Sequence, residues 1–341
     1  MYGLWMPTVR APKPFLSIED QIALLSARGM TIESPVLADQ WLRAVGYYRL
    51  SGYAYPFRSP DPADPAKLTD NFVPGTTFAE VIGLYEFDRH LKNLMLSGLE
   101  RIEVAMRSQI GYTLGGHGPL AYEQSHIFRP QFCGSIGHTT WLSVARGRVN
   151  RAEGHDAAVD HHIANYGGDM PIWVLTDVLD FGDLSKLFAG MTSIDQQQIM
   201  QWFSITPPLL APNLTVNQRR KERKRWKQNP PLANWLLHLT IVRNTCAHHS
   251  RLWNRRLTPV GTPALAGLPG FDGLPPDQFE NVYGTICLVA FLLATTSPGN
   301  TWTGKIARLV DSSFTAFDIR TVQEMGFPSN WKELPLWTDA S

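Results

Sequence analysis

A chain of 341 residues is long enough to bury a substantial hydrophobic core. Charged residues make up only 18% and the formal net charge is +1, so the molecule is neither a general basic coat for nucleic acid nor an acidic tail. Any site for a polyanion therefore has to be a local patch.

Cys133, Cys246 and Cys287 are widely spaced and odd in number, which speaks against a disulfide framework or a CxxC pair and for a reduced, cytoplasmic setting. The first fifteen residues hold prolines and a basic residue but no apolar signal core. Ser17 then reads as an N-cap followed by the acidic first turn Glu19-Asp20, with Ile22, Leu24 and Leu25 on an apolar face that stops at Gly29. A second helix is predicted over Pro35–Val45. The aromatic run from Tyr47 to Phe57 reads as core rather than as a stacking surface. Four prolines within residues 59 to 76 predict an exposed loop.

From Thr77 to Gly115 apolar residues recur at helical spacing, which predicts one long helix or two in series, with Glu103 and Arg107 at i and i+4 on one face. Further helices are predicted at 138–166, 171–190 and 195–204. His155, His161 and His162 lie near Asp156 and Asp160 but match no zinc-ligand spacing, so they read as surface residues and no metal or other cofactor is expected. The longest weakly polar run, Val282 to Thr296, is shorter than the ~20 residues that span a bilayer and contains Gly284. It predicts a buried helix and no membrane partner. A Gly/Pro-rich loop is predicted at 259–277, and the aromatic tail around Phe327 and Trp331 is expected to pack back on the body. No window shows sustained period-2 alternation, so the fold class is all-α (mainly α), with long loops.

Two segments carry chemistry. Residues 218–227 hold seven basic side chains and one acidic, a local charge of +6 between prolines. Arg219, Arg220, Lys221, Arg223, Lys224, Arg225 and Lys227 suit a phosphate backbone, and Trp226 offers a stacking face. The plainer alternative is a solvated mobile loop. The second segment, Arg243-Asn-Thr-Cys-Ala-His-His-Ser-Arg-Leu-Trp-Asn254, falls on a helix predicted from Leu232 to Trp253. On an ideal helix Arg243 and His248 diverge by about 140°, whereas Asn244 and His248 share a face. Convergence of all three needs a distorted helix or a second chain. Strand cleavage by RNA's own 2′-hydroxyl needs a base, an acid and a cation for the phosphorane. Histidine suits the proton transfers, arginine the phosphate, and asparagine can orient either. On composition alone a purely structural reading of Arg243 and His248 is the commoner one, in which His249 and Arg251 form a solvated face.

The segment at 243–254 resembles the signature of the Abi-type (AbiD/AbiF-like) abortive-infection proteins. Gln21 followed by Leu24, Leu25 and Gly29 is similar to the same family, as are Tyr47-Tyr-Arg-Leu-Ser-Gly-Tyr53, Ile102-Glu-Val-Ala-Met-Arg107, Trp173 with Phe181-Gly182, and Met325-Gly-Phe-Pro328 before Trp331. The resemblance spans about residues 14 to 337. It implies a HEPN-like helical bundle, whose ribonucleases carry an Arg-x4–6-His motif, and a role in phage defence as a restrained toxin. By position, Arg243 and His248 become the catalytic pair and Asn244 the polar residue beside them. His249, Glu103 and Arg107 stand as supporting residues, and Arg251 joins the 219–227 block as an RNA contact. The implied partners are a substrate RNA and a small noncoding RNA. With one Arg-His motif per chain, a homodimer pools two; His249 acting as second proton carrier is the alternative. The resulting organisation is an N-terminal helical and aromatic segment at 1–76, a core at 77–258 with a basic insertion at 206–231, and a C-terminal segment at 259–341 completing the same fold. A non-cleaving scaffold for a noncoding RNA and a protein-sensing module are the competing functions.

Overall fold

The computed structural model describes residues 14–134, 137–207, 210, 212–257, 280–314, 317 and 320–338. The chain is mainly α, with a single two-stranded sheet among the described residues. It divides into two compact units, Met1–Phe87 and Asp88–Ser341.

In the first unit, helix α1 (Ile18–Ala27) is capped by Ser17, whose hydroxyl accepts the Asp20 N–H. Helix α2 (Pro35–Val45) starts with proline at N1 behind the Ser34 cap, where its missing N–H costs nothing. Gly46, at φ +88, turns the chain into α3 (Tyr47–Ala54). The aromatic run is divided by this geometry. Tyr53 and Phe57 are buried and Tyr53 meets Tyr85 edge-on at 5.3 Å, whereas Tyr48 lies almost fully exposed.

Residues 59 to 76 are not the predicted loop. They form an antiparallel hairpin, β1 (Arg58–Asp61) with β2 (Asp64–Phe72). Prolines are tolerated because a two-stranded ribbon has only edge strands, and the register shifts on either side of Pro60. The Asp61 carboxylate accepts the Ala63 N–H across the turn. Asp70 pins the ribbon through Arg58 at 2.9 Å and Arg28 at 3.1 Å.

Helix α4 (Phe78–Gly115) is a single helix of 38 residues; its residues to Phe87 belong to the first unit and the remainder to the second. In the second unit it buries Leu91, Met95, Leu99, Ile102, Met106, Ile110 and Leu114, one stripe at intervals of three and four. A short turn, α5 (Pro130–Cys133), precedes α6 (Gly137–Ala152) and α7 (Ala157–Tyr166). The predicted 138–166 helix is thus two, broken at Gly154 (φ +76) and restarted by the Asp156 cap. The predicted 171–190 helix is likewise two, α8 (Ile172–Val178) and α9 (Phe181–Gly190), the latter opened by an Asp180–Asp183 capping box.

Helix α10 (Ser193–Trp202) follows the Thr192 cap, and α11 (Val216–Gln228) and α12 (Pro231–Ala247) come next. Helix α12 packs along α9. Helix α13 (Val282–Thr296) is buried over most of its surface. Helix α14 (Trp302–Phe314) joins it against α4 at Gly98, where a Cβ would sit 2.8 Å from Val289 Cγ1. The tail does pack back: Tyr283, Phe327, Trp331 and Trp337 form one aromatic cluster ahead of and into a last turn, α15 (Pro335–Thr338). No helix among the described residues is long and apolar enough to cross a membrane. The loop predicted at 259–277 lies outside the described residues.

Candidate active site

Helix α12 buries Leu232, Trp235, Leu236, Leu239, Val242, Thr245 and Cys246, which leaves the opposite side at Leu237 and Asn244 exposed. The helix does not continue to Trp253 as its sequence pattern predicts. It stops at Ala247 with His248 as C-cap, and His249 enters the left-handed region at φ +56. The His249 N–H donates to Cys246 O at 3.0 Å and the Ser250 N–H to Thr245 O at 3.0 Å, the paired bonds of a Schellman termination. Glycine usually occupies that left-handed position; histidine is among the residues that visit it at modest cost.

The chain then turns inward. Leu252 and Trp253 are fully buried, and their N–H groups donate to the Asp88 carboxylate at 3.1 Å and 2.7 Å. Lys92, one turn along α4, places its ammonium 3.0 Å from the same carboxylate. A buried carboxylate is costly unless neutralised and hydrogen-bonded, and here two amides and a buried lysine do both. Cys246, next to this pair, is pushed up to about 12, first by burial and then by the Asp88 charge, so its thiol stays protonated and is a packing residue.

Five of the expected site residues stand at this helix end or just beyond it. The His248 N–H closes a last turn on Asn244 O at 2.9 Å, so Asn244 and His248 lie one above the other, both exposed. Arg243 is half-buried, with its guanidinium 3.4 Å from Asn244 Oδ1, a marginal contact. His249 is exposed on the turn. Arg251 is half-buried between that turn and Leu252.

Arg243 also lines a cleft of about 510 Å³ with Glu103 and Arg107, joined by Leu96, Ser97, Glu100 and Val104 from α4. The structure therefore brings Arg243 to Glu103 and Arg107, which precede it by 136 or more positions in the sequence. Glu103 and Arg107 are ion-paired and largely shielded. Arg107 also donates to the carbonyls of Thr176 at 2.7 Å and Asp177, capping the carbonyl end of α8, where a cation is favoured. Two carboxylates balance two guanidiniums in this cleft, and neither His248 nor His249 lines it.

The basic block forms helix α11 rather than a loop. Thr215 and Gln218 make a capping box at its start, and Arg129 closes its end by donating to Lys227 O at 2.8 Å and Gln228 O at 3.0 Å. Burial lowers the pKa of Arg129, and its guanidinium meets the negative end of the helix. Arg219, Glu222 and Trp226 form the half-buried face, while Arg220, Lys221, Arg223, Lys224, Arg225 and Lys227 are exposed. Arg219 is anchored to Leu214 O and Pro212 O. This helix packs on α10 and adjoins the start of α12, so the block and the Arg243 turn lie at opposite ends of α12. Twelve residues separate Pro231 from Arg243, about 18 Å of helix. Asp88, Lys92 and Arg129 are absent from the sequence reading. Asp88 and Lys92 carried a signal, since both fall on the apolar register of α4; Arg129 carried none.

A family model described as Abi-like protein matches residues 40–254, more than half of the chain. The chain belongs to this Abi-type abortive-infection family. Comparison with curated proteins and with solved structures returns no match.

Proposed function

We propose that this member of the Abi-type family serves phage defence as an endoribonuclease with a HEPN-type site, using side chains for its acid–base chemistry. The observation that supports the reading best is the helix end itself. A turn pinned by Asp88 and Lys92 holds exposed His248 one helical turn beyond Asn244, the residue that follows half-buried Arg243. In the proposed reaction a histidine takes the 2′-hydroxyl proton as that oxygen attacks the adjacent phosphorus. A second protonated group supplies a proton to the departing 5′-oxygen, leaving a 2′,3′-cyclic phosphate. Arg243 stabilises the charge that builds on the non-bridging oxygens, and Asn244 orients His248. Since neither histidine shares the cleft of Arg243, a homodimer that faces two such turns supplies the second proton carrier. Helix α11 tracks the phosphate backbone of the RNA, whether substrate or a small noncoding partner.

The test is cleavage of single-stranded RNA, in the presence of a chelator, by wild type and by Arg243→Ala, Asn244→Ala and His248→Ala. The proposal expects cyclic-phosphate ends and a loss of roughly 10²- to 10⁴-fold for His248→Ala. Equal cleavage by wild type and His248→Ala sinks it.

One observation favours a second reading, a non-cleaving RNA scaffold. The cleft of Arg243 offers guanidiniums for a phosphate but holds no histidine to carry a proton, which suits recognition rather than cleavage. RNA bound by wild type with no cleavage under any condition decides for this reading.

A further inference from the structure

A cavity of about 950 Å³ lies between α10, α11 and the start of α12. Its volume falls in the range of small-molecule and cofactor sites. Met200, Ile205 and Pro230 give it an apolar floor, and Trp226 lines it from the half-buried face of α11. Gln197 and Gln201 add amides to the wall. The Gln197 Nε2 is buried and has no hydrogen-bond partner among the described residues. A buried amide without a partner is uncommon, and a turn of the Gln197 side chain towards the cavity would let it meet an occupant.

We propose that this cavity receives one unpaired base of a single-stranded RNA, stacked on Trp226 and hydrogen-bonded by Gln197. The inference rests on RNA as the partner of α11 and names the form that RNA takes. Three features select the occupant. An aromatic wall over an apolar floor suits a flat ring, and an amide can turn to present a donor or an acceptor to a base edge. Of the cations of the same helix, Arg219, Arg223, Arg225 and Lys227 line the cavity, whereas Arg220, Lys221 and Lys224 are exposed and outside it, where a backbone can follow them while one base turns inward. A purely apolar ligand leaves Gln197 unpaired. A duplex keeps its bases stacked and offers none to the cavity.

The full-length protein, stripped of nucleic acid, is titrated with a labelled single-stranded RNA, with the same strand made abasic throughout, and with a duplex, each at two salt concentrations. The variants are Trp226→Ala, Trp226→Phe, Gln201→Trp to fill the cavity from an exposed position, and Lys221→Gln/Lys224→Gln. Circular dichroism checks that each is folded. Trp226→Ala should weaken the single strand by roughly 5- to 150-fold, the effect of one stacked base, with its salt slope unchanged. Trp226→Phe should restore most of that loss, and Gln201→Trp should reproduce it. The abasic strand should be indifferent to all three. The lysine pair should instead flatten the salt slope by about 1.4. Salt-dependent binding with no effect of Trp226→Ala or Gln201→Trp overturns the inference and leaves RNA binding standing. A duplex that depends on Trp226 as strongly as the single strand also overturns it. Wild type that binds no RNA even at low salt removes both.

Discussion

The Asp88 carboxylate accepts the backbone N–H of Trp253 at 2.7 Å across 165 positions of sequence, which ties the first turn of α4 in the second unit to the segment that follows the His248 turn. The link is short, fully buried and neutralised by Lys92. Breaking a buried pair by removing one charge costs about 3–5 kcal/mol, because the other is left unpaired, whereas replacing both is often much cheaper. Asp88→Asn should therefore destabilise the protein by several kcal/mol, and the double change Asp88→Asn/Lys92→Met by clearly less. Urea denaturation of the two single variants and the double variant measures the coupling. Additive losses would show that the pair does not act as a unit.

His249 stands in a conformation that most side chains avoid, at φ +56. If it serves the Schellman turn rather than proton transfer, His249→Gly keeps the turn and stabilises the fold by up to about 1 kcal/mol. His249→Val instead strains the turn and costs more than that, since a β-branched residue fits the left-handed region poorly. Thermal melts read the stability order, and RNA cleavage by His249→Gly reads the chemistry. Cleavage that disappears in a protein as stable as wild type would make His249 a proton carrier.

What the chain disclosed about itself follows from which forces act locally. Helix α4 was legible because its buried residues recur every three or four positions, and α13 because its run is apolar throughout. The hairpin at 58–72 was hidden by its prolines, which signal loops except where a ribbon has only open edges. Helix α11 went unread although Thr215 and Gln218 stand at capping-box spacing, because its charge density suggested a solvated loop. The end of α12 had no glycine to mark it, because His249 fills the left-handed position. At the candidate site, Arg243, Asn244 and His248 were legible as residue types in a motif, and their common place at one helix end is visible only in the fold. The cleft that joins Arg243 to Glu103 and Arg107, and the Arg129 cap 98 positions before Lys227, depend on tertiary packing that no local pattern records.

Gly98 sets how closely α13 and α14 approach α4. A Cβ there would lie 2.8 Å from Val289 Cγ1 and 3.0 Å from Trp302 Nε1, while Trp302 is already held by its bond to Leu94 O at 2.6 Å. Gly98→Ala should therefore cost about 1–3 kcal/mol through overpacking, despite the better helix propensity of alanine. Adding Val289→Ala removes the closer contact and should recover part of the loss. Chemical denaturation of the single and double variants tests this, and a Gly98→Ala protein more stable than wild type would show that the helices separate freely.

The buried thiols and Tyr122 make stability fall at alkaline pH. Burial raises Cys246 and Cys287 from 9.0 to about 12, and Tyr122 from 10.0 to about 12. Above pH 9 the unfolded chain loses protons that the folded chain still holds, so ionisation favours unfolding. Their contribution to stability is complete below about pH 9 and is lost as pH climbs towards 12. Each group adds up to roughly 1.4 kcal/mol per pH unit within its window. Denaturation midpoints taken from pH 8 to pH 11 should decline, and more gently for Cys246→Ala, which removes one titrating group. A decline equally steep in Cys246→Ala would mean that this thiol ionises inside the folded protein, and would place water beside Asp88 and Lys92.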